Sequence, residues 1–357
     1  MKVRLYKLVC VLICLPLWVS ASGPGWNGKY TKEKKIKKEF TVSPTARLDI
    51  ENSYGNLYIT SWNENRTVIE VHIKTNSNSE EKAQRKLDEI DVEFHASSSV
   101  VSAKTIFQKN GWGWGNNNNI SMEINYTIKV PVGNSVDLDN DYGGIYLDEI
   151  NGLANISCDY GKMEIGKLNA DNNQLSFDYT SKSTFEYIKS GKINADYSSY
   201  EVENAGDLVI SADYTTSEVK NARNIEYSCD YGSIKLENAN NIKGTGDYLS
   251  MHFGIMHGNV DVSSDYGSLK IDEMAADAGN LNVQSDYTGI KIGYNSGYHF
   301  DFEIDLEYAG LSGDTNFEYK IKRDKSTEKY YQGYHGSSGK NKVYINSEYG
   351  GVSLNKK

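Results

Sequence analysis

Acidic and aromatic side chains that recur as neighbours are the residues that most readily suggest chemistry. An aspartate directly precedes a tyrosine nine times, at Asp141, Asp159, Asp178, Asp196, Asp213, Asp230, Asp247, Asp265 and Asp286. If these carboxylates form a row at the spacing of paired strands, ~4.8 Å, they repel one another and calcium would relieve the repulsion. The alternative is a turn in which each carboxylate accepts a hydrogen bond from a backbone N–H two residues on. The glycine-rich nonapeptide of calcium-binding repeats is absent, which favours the turn.

Two tryptophans form a second candidate site. Trp112 and Trp114 alternate with glycines in the segment 111–115, and four asparagines follow. Exposed aromatic side chains of this kind suit stacking on sugar rings or on an apolar patch of a partner. The alternative is a loop whose tryptophans fold back onto the neighbouring domain. We therefore regard Trp112 and Trp114 as candidate ligand-binding residues.

The sequence contains no motif typical of an active site or a metal centre. None of the six histidines has the spacing to acidic or cysteine residues that a zinc site requires. His252 and His257 beside Met251 and Met256 form the one pattern that would suit copper. A nucleophile elbow, a phosphate-binding loop and an HExxH motif are all missing. We therefore expect no catalytic residues, no metal and no cofactor.

The tyrosines recur at a nearly constant interval. The row consists of Tyr142, Tyr160, Tyr179, Tyr197, Tyr214, Tyr231, Tyr248, Tyr266 and Tyr287, and of Tyr308 and Tyr349, which follow a glutamate. Successive intervals are 17 to 21 residues, except the last, which is 41 and which we expect to hold about two units with an insertion. A fixed period near 18 predicts an all-β chain, a β-solenoid similar to a parallel β-helix with about twelve coils of 17–21 residues.

The apolar residues around each tyrosine indicate which side chains point inward. They stand two and four residues before it and three and five after it, as Ile156, Cys158, Met163 and Ile165 do around Tyr160. Because strand residues two apart share a face, we expect these positions, the tyrosine included, to point into the solenoid. The tyrosines would then form an internal structural ladder, with the aspartates outside and the hydroxyl groups paired at the corner.

The repeat also makes predictions about a second corner and about the cysteines. Asparagine, which can adopt the left-handed conformation, recurs between the strands at Asn151, Asn169, Asn204, Asn221 and Asn238. Cys158 and Cys229 occupy equivalent inward places in units four steps apart, about 19 Å at the spacing of paired strands. That is beyond the reach of a disulfide, so two free, buried thiols are expected.

The first 21 residues are typical of a signal peptide. A basic start is followed by the apolar run 8–19 and by Val19-Ser20-Ala21, which predicts cleavage after Ala21. The run is too short to span a bilayer and no second one follows. We therefore expect an exported protein that is periplasmic, on the outer surface or secreted, with no transmembrane segment in the mature chain.

Residues 22–130 are predicted to form a β-rich capping region that covers the open strand edges of the solenoid. The segment 48–59 contains one copy of the repeat pattern. One helix is expected from Glu80 to about Glu89, capped by Ser77 together with Glu80. The solenoid would occupy 131–357, interrupted near 313–341 by a polar insertion that we expect to be a protruding hairpin or loop.

The charge of the chain excludes one class of partner. The net charge is −10, and subtracting the three positive charges of the signal peptide, Lys2, Arg4 and Lys7, gives −13 for the mature chain. An acidic protein of this kind is not expected to bind nucleic acid.

Several of these motifs carry a resemblance to a known group of proteins. They are the signal peptide, the pattern Leu-Asp-Ile-Glu-Asn-Ser-Tyr-Gly-Asn-Leu-Tyr-Ile at 48–59, the pair Val130-Pro131 before the repeats, and the repeats themselves. Together they resemble the bacterial "putative adhesin" families, including the head GIN domain of autotransporter adhesins. The resemblance implies a β-solenoid at the cell envelope, and it brings no catalytic residues.

The function that the sequence favours is a non-enzymatic one. We expect an exported envelope or cell-surface protein with an adhesin-like binding role or a structural role, whose partner would be a glycan or a surface protein. One alternative is a carbohydrate-active enzyme, a polysaccharide lyase or hydrolase on a β-helix, which would need acid and base residues clustered in a groove. The other alternative is a component of envelope-stress signalling.

Overall fold

The chain is almost entirely β. The computed structural model describes residues 26–108, 120–313 and 316–357, which contain 27 strands in one hydrogen-bonded sheet and a single helix. The all-β prediction is thereby confirmed. The predicted signal peptide, 1–21, lies outside the described residues. Within them, no helix is long and apolar enough to cross a membrane.

The elements fall into three groups along the chain. Before the regular repeat come β1 (Tyr30–Thr41), β2 (Arg47–Ser53), β3 (Leu57–Trp62), β4 (Arg66–Ser77), α1 (Glu80–Asp88), β5 (Ile90–Ala96), β6 (Val100–Phe107) and β7 (Ile120–Pro131). The regular repeat contains β8 (Ser135–Asp141), β9 (Gly144–Ile150), β10 (Ala154–Asp159), β11 (Lys162–Leu168), β12 (Asn173–Asp178), β13 (Ser183–Asp196), β14 (Ser199–Asp213), β15 (Thr216–Ser228), β16 (Ser233–Thr245), β17 (Ser250–Met256), β18 (Val260–Asp265), β19 (Ser268–Met274), β20 (Leu281–Asp286) and β21 (Gly289–Tyr294). The last group is β22 (Phe300–Glu307), β23 (Leu311–Gly313), β24 (Glu318–Asp324), β25 (Glu328–His335), β26 (Asn341–Glu348) and β27 (Val352–Lys356).

The single helix lies where the sequence predicts it, but a different serine caps it. Ser79 is the N-cap residue, and its hydroxyl accepts a hydrogen bond from the backbone N–H of Lys82 at 3.4 Å. Ser77, which we expected in this role, instead accepts a bond from the N–H of Ser79. Ala83 and Leu87 face the core and are buried, as the apolar spacing of the helix requires.

Each repeat unit contributes two strand segments, one before its tyrosine and one after it. The segments before the tyrosine pair in parallel with their equivalents in the next unit, and so do the segments after it. We call these two series of paired segments the upstream run and the downstream run. In β13 to β16 one long strand joins the downstream segment of one unit to the upstream segment of the next.

One hydrophobic core lies between the two runs. The residues two and four before the tyrosine, and those three and five after it, are buried in most units as predicted; Ile210, Ala212, Ile234 and Leu236 are examples. The unit of Tyr179 is an exception, because Ser183 and Phe185, four and six residues on, are buried there instead. Strand pairing satisfies the backbone, because parallel neighbours exchange hydrogen bonds on both sides of every internal strand. Burial of apolar area between the runs supplies the main stabilisation.

At both ends of the molecule, the spatial order of the units differs from their order in the sequence. β2 pairs with β6 on one side and β8 on the other, so the unit of Tyr54 lies between the segments 100–131 and 135–150. At the other end, β26 pairs with β20 and β22, and β27 with β21 and β23. The last unit of the chain therefore fills the space between the units of Tyr287 and Tyr308.

Antiparallel strands cover both ends of the sheet. At the amino-terminal end, β4 and β1 extend from β7, and β5 pairs with β6. At the other end, β24 and β25 form a hairpin, and β25 pairs along the whole of β22. The insertion is thus a hairpin, in which β25 covers the edge of β22 and β24 becomes the outer strand of the sheet. The 41-residue interval contains this hairpin in place of a second unit.

Asparagine at the second corner does not take the left-handed conformation that we expected. Only Asn172 among the described asparagines has a positive φ, and it is not one of the five. Their side chains instead bond along the row, since the amide of Asn221 donates to Asn204 at 3.2 Å and that of Asn238 donates to Asn221 at 3.1 Å. Cross-unit pairing of amides therefore explains the asparagines at this corner.

Candidate functional surface

Twelve tyrosine rings stack in one continuous row along the molecule. The row runs in spatial order through Tyr54, Tyr142, Tyr160, Tyr179, Tyr197, Tyr214, Tyr231, Tyr248, Tyr266, Tyr287, Tyr349 and Tyr308. Neighbouring ring centroids are 4.7 to 5.2 Å apart and the ring planes differ by 2 to 8°. We call this row the tyrosine ridge.

The ridge lies on the surface, so the expectation of an internal ladder is wrong. The eleven tyrosines from Tyr142 to Tyr349 that the repeat identified are 47 to 53% exposed, and Tyr54 is half-buried. None of the twelve hydroxyl groups hydrogen-bonds another described residue. The ring faces are covered by the neighbours in the stack, whereas the ring edges and hydroxyl groups face solvent.

The backbone of the tyrosines explains why they point outward. All twelve adopt a positive φ between 50 and 63°, a left-handed conformation that costs a residue with a Cβ about 1–2 kcal/mol. This turn breaks the strand alternation, so the aspartate and the tyrosine both face outward and the next residue faces inward. Thr180, Thr215 and Leu249 follow tyrosines in this way and are buried. Stacking, worth about 0.5–1.5 kcal/mol per ring pair, offsets much of the backbone cost.

The aspartates beside the ridge tie successive units together. From Asp159 to Asp265, one carboxylate oxygen of each accepts a hydrogen bond from the backbone N–H of the next unit's aspartate, at 2.8 to 3.3 Å. From Tyr54 to Tyr266, the backbone N–H of each ridge tyrosine donates to the backbone carbonyl of the next unit's aspartate, as Tyr160 does to Asp178 at 3.0 Å. The carboxylates do point outward as expected, but their acceptor role joins different units and is not the local turn that we expected.

The electrostatics of this row differ from those of the downstream run. Among the described residues, none of the nine aspartates of the row forms an ion pair with a lysine or arginine. In the downstream run, by contrast, Lys220 bridges Glu201 and Glu203, and Lys235 bridges Glu218 and Glu237. Burial, together with the neighbouring carboxylates, raises the pKa of Asp141. The ridge is therefore bordered by a line of uncompensated negative charge.

The hydroxyl groups of Tyr160, Tyr231 and Tyr266 keep their protons at neutral pH. Burial between neighbouring rings, and the charges of the adjacent tyrosines and aspartates, raise the pKa of all three above the ordinary value, which is already near 10. Each of these phenols can therefore both donate and accept a hydrogen bond. The ridge offers a partner a row of hydroxyl groups on rings spaced 4.7 to 5.2 Å apart.

The sequence suggested two further candidate sites. Trp112 and Trp114 lie outside the described residues, so their role as ligand-binding residues stays a prediction. His252 hydrogen-bonds Asp272 and His257 hydrogen-bonds Asp277, so the suggested copper pattern is divided between two separate pairs. Among the described residues, no group of three histidine, cysteine or acidic side chains is placed to hold a metal ion.

Both cysteines of the described residues lie in the core. Cys158 and Cys229 are buried and unbridged, in the inward positions that the repeat predicts. Burial raises the pKa of each thiol to about 12. A thiol with so high a pKa is a poor nucleophile at neutral pH.

A shallow groove crosses six units on the outer side of the upstream run. Its volume is about 600 Å³, and its lining includes Lys192, Val209, Glu226, Lys243 and Asp261. Both positive and negative side chains line the groove, and Lys243 is paired with Glu226 at 4.0 Å. The groove provides a second, less regular surface for an elongated partner.

The chain is similar to several proteins of known structure. No protein-family model matches it, and no curated protein matches it. Solved structures do match it, among them a "putative cell adhesion protein" from Clostridium sporogenes, with 10% identity, 91% of this chain and 100% of that chain covered, and a TM-score of 0.18. A "putative adhesin" from Parabacteroides merdae has 10% identity, covers 90% of this chain and 96% of its own, and has a TM-score of 0.30.

A third structure carries a different name. It is a "putative lipid binding protein" from Parabacteroides distasonis, with 10% identity, coverage of 90% and 96%, and a TM-score of 0.29. Two of these three names agree with the resemblance that the repeat motifs indicate. TM-scores this low leave the function of the chain to be argued from its own residues.

Proposed function

We propose that the chain is an exported β-solenoid with an adhesin-like binding role, and that the tyrosine ridge is its contact surface. The parallel, in-register pairing of successive units supports the solenoid. The observation that carries the binding role is the row of twelve stacked tyrosines whose hydroxyl groups have no partner within the described protein. Monomeric proteins rarely leave so long a stripe of aromatic side chains exposed without a use for it.

The chemistry of the ridge favours a partner with many hydrogen-bonding groups. The ring faces are already stacked, so the surface offers ring edges, hydroxyl groups and carboxylates that have no ion pair with a lysine or arginine among the described residues. A glycan, or the polar surface of a protein on another cell, supplies the complementary donors and acceptors. Because the stacked rings share one orientation, few side-chain rotamers have to be frozen when a partner binds, which limits the entropic cost.

The ridge is tested by removing hydroxyl groups without disturbing the stack. The mature chain is screened on a glycan array, and the best ligand is titrated against the triple variant Tyr214→Phe, Tyr231→Phe, Tyr248→Phe. Three lost hydrogen bonds at about 0.5–1.5 kcal/mol each predict at least a tenfold weaker affinity with an unchanged melting temperature. The matched control removes three hydroxyl groups away from the ridge, with Tyr58, Tyr187 and Tyr344 changed to phenylalanine, and should bind as the parent does.

The segment 111–115, with its two tryptophans, is the competing candidate for the binding site. If Trp112 and Trp114 anchor the ligand, replacing both with alanine weakens binding by more than about 2 kcal/mol at constant stability. A loss in this variant together with unchanged binding in the ridge variant would transfer the binding site from the ridge to the 111–115 segment. If the tryptophans fold back onto the protein, the double variant loses melting temperature instead.

We propose a non-enzymatic function, with the carbohydrate-active enzyme as the alternative to be tested. General acid and base residues must converge on one bond, whereas the acidic residues beside the ridge are distributed evenly over many units. The mature chain is incubated with the polysaccharides that it binds, and new reducing ends or unsaturated sugars are measured. Product that accumulates with repeated turnover would establish the enzyme instead.

A further inference from the structure

We propose that the tyrosine ridge is also a modification site, at which neighbouring tyrosines are joined to dityrosine by a one-electron oxidant such as a haem peroxidase acting with hydrogen peroxide. The inference concerns the covalent chemistry of the phenols, so it does not depend on what the ridge binds. It rests on the spacing, the exposure and the free hydroxyl groups of the stacked rings.

The ridge meets the geometric needs of the coupling. Two phenoxyl radicals must meet, and the eleven ring pairs are held with centroids 4.7 to 5.2 Å apart. Holding reactants side by side replaces a bimolecular encounter by an intramolecular one. Eleven of the twelve tyrosines are about half exposed and Tyr54 is partly exposed, so an oxidant has access to the ridge. Side-chain torsions fluctuate within picoseconds to nanoseconds, and the open ring edges leave two stacked neighbours room to tilt until their ortho carbons meet.

The reaction balances as a two-electron oxidation. Each phenol loses one electron and its hydroxyl proton, and the two radicals form one carbon–carbon bond between ortho positions. The two ring protons at that bond then move to the phenol oxygens and restore both aromatic rings. Hydrogen peroxide accepts the two electrons and the two released protons and becomes two water molecules. No other reactant is needed.

The order of the units in space makes the pattern of cross-links diagnostic. Tyr349 lies between Tyr287 and Tyr308, at 4.7 Å from the first and 4.8 Å from the second. The structure therefore predicts the joints Tyr287–Tyr349 and Tyr349–Tyr308, and it excludes Tyr287–Tyr308. At the other end it predicts Tyr54–Tyr142, two residues that are 88 positions apart in sequence but 5.2 Å apart in the stack.

Such joints would tie unit to unit along the edge of the molecule. A cross-link between two units closes a loop in the unfolded chain, and the stabilisation grows with the length of the loop. The joints at Tyr54 and Tyr349 close the longest loops and connect the interleaved units at the two ends. Oxidation would therefore strengthen the protein against unfolding under oxidising conditions outside the cytoplasm.

The experiment uses the full mature chain at a dilution that keeps it monomeric. The protein is treated with a haem peroxidase and hydrogen peroxide, digested, and searched by mass spectrometry for dityrosine-linked peptides. Tyr187 and Tyr344 serve as internal controls, because neither contacts another aromatic ring among the described residues. We expect intramolecular joints between ridge neighbours to form at least ten times more often than joints at either control tyrosine.

A matched variant separates the ridge from general oxidation. In Tyr349→Phe the stacked ring is kept and the hydroxyl group is removed, so the two joints at position 349 should vanish while Tyr266–Tyr287 persists and the melting temperature is unchanged. Three results would overturn the proposal: joints at Tyr187 or Tyr344 as frequent as those in the ridge, a Tyr287–Tyr308 joint in the parent protein, or no intramolecular dityrosine.

Discussion

The left-handed backbone of the ridge tyrosines is best tested at Tyr231, where two substitutions should rank in an unusual order. The ring of Tyr231 stacks on Tyr214 at 5.0 Å and on Tyr248 at 4.8 Å, and 48% of the side chain is exposed. Two stacking contacts of about 0.5–1.5 kcal/mol each, added to about 1 kcal/mol for a half-buried ring, predict that Tyr231→Ala lowers the free energy of unfolding by about 2–4 kcal/mol.

Glycine at the same position should cost less than alanine. The φ of Tyr231 is 53°, and alanine keeps the cost of about 1–2 kcal/mol that a Cβ imposes there, whereas glycine does not. Glycine has more conformational entropy than alanine in the unfolded chain, which lowers the stability of the folded state by about 0.4–1 kcal/mol. The difference leaves Tyr231→Gly about 0.5–1 kcal/mol more stable than Tyr231→Ala.

Chemical denaturation followed by circular dichroism measures both variants. The matched control is Ser228, an exposed residue in β15 without a positive φ, where glycine should be about 0.5–1 kcal/mol less stable than alanine. The reasoning is refuted if alanine is the more stable substitution at both positions. A loss below about 1 kcal/mol for Tyr231→Ala would show that the stack contributes nothing measurable.

Three further predictions follow from the core, the aspartate row and the interleaved last unit. Cys158 and Cys229 should not react with a thiol reagent at neutral pH until the protein unfolds, and both should then react without reductant; a bridge between them, found by mass spectrometry, would contradict the register of the units. Burial raises the pKa of Asp178, so the charged carboxylate lowers the stability of the folded protein at neutral pH. Asp178→Asn should therefore melt at a higher temperature than the parent at pH 7, but not at pH values below the ordinary aspartate pKa, about 3.9. An equal increase in melting temperature at both pH values would show that charge is not the cause. Deletion of 341–357 exposes unpaired strands of two units and should lower the melting temperature or cause aggregation, with recovery when the peptide 341–357 is added; a truncated protein with an unchanged melting temperature would rule out the interleaved arrangement.

Much of the fold follows from patterns that extend over only one unit. The buried positions around Tyr160, the free thiol of Cys158 and the helix at Glu80 are all predictable because neighbouring residues in a strand or helix point in directions set by local geometry. The orientation of the tyrosine was mispredicted for a reason that is also local. The buried positions two residues before the tyrosine and three residues after it are an odd number of residues apart. Strict alternation of inward and outward side chains cannot bury both positions, so it is interrupted between them, at the tyrosine with its left-handed backbone conformation.

The candidate surface depends on contacts between units, which one unit cannot reveal. The hydrogen bond from the backbone of Asp196 to the carboxylate of Asp178, at 3.1 Å, and the bond between the amides of Asn221 and Asn238 both join residues 17 or 18 positions apart. A repeated aspartate or asparagine is compatible with a local turn as well as with such a ladder. The stacking distance and the shared register of the units decide between them.

The sequence by itself determined the period, the strands, the inward apolar residues and the number of tyrosine units, because each of these depends on the alternation of side chains within about 18 residues. Only the tertiary structure decided that the tyrosines lie outside, that the units of Tyr54 and Tyr349 are inserted between units distant in the chain, and that the insertion pairs with the edge of β22. Any two units with the same pattern of strands and buried residues can pair in parallel, and all units of this chain share that pattern. The repeat therefore does not set the spatial order of the units, which is set by the packing of the two ends.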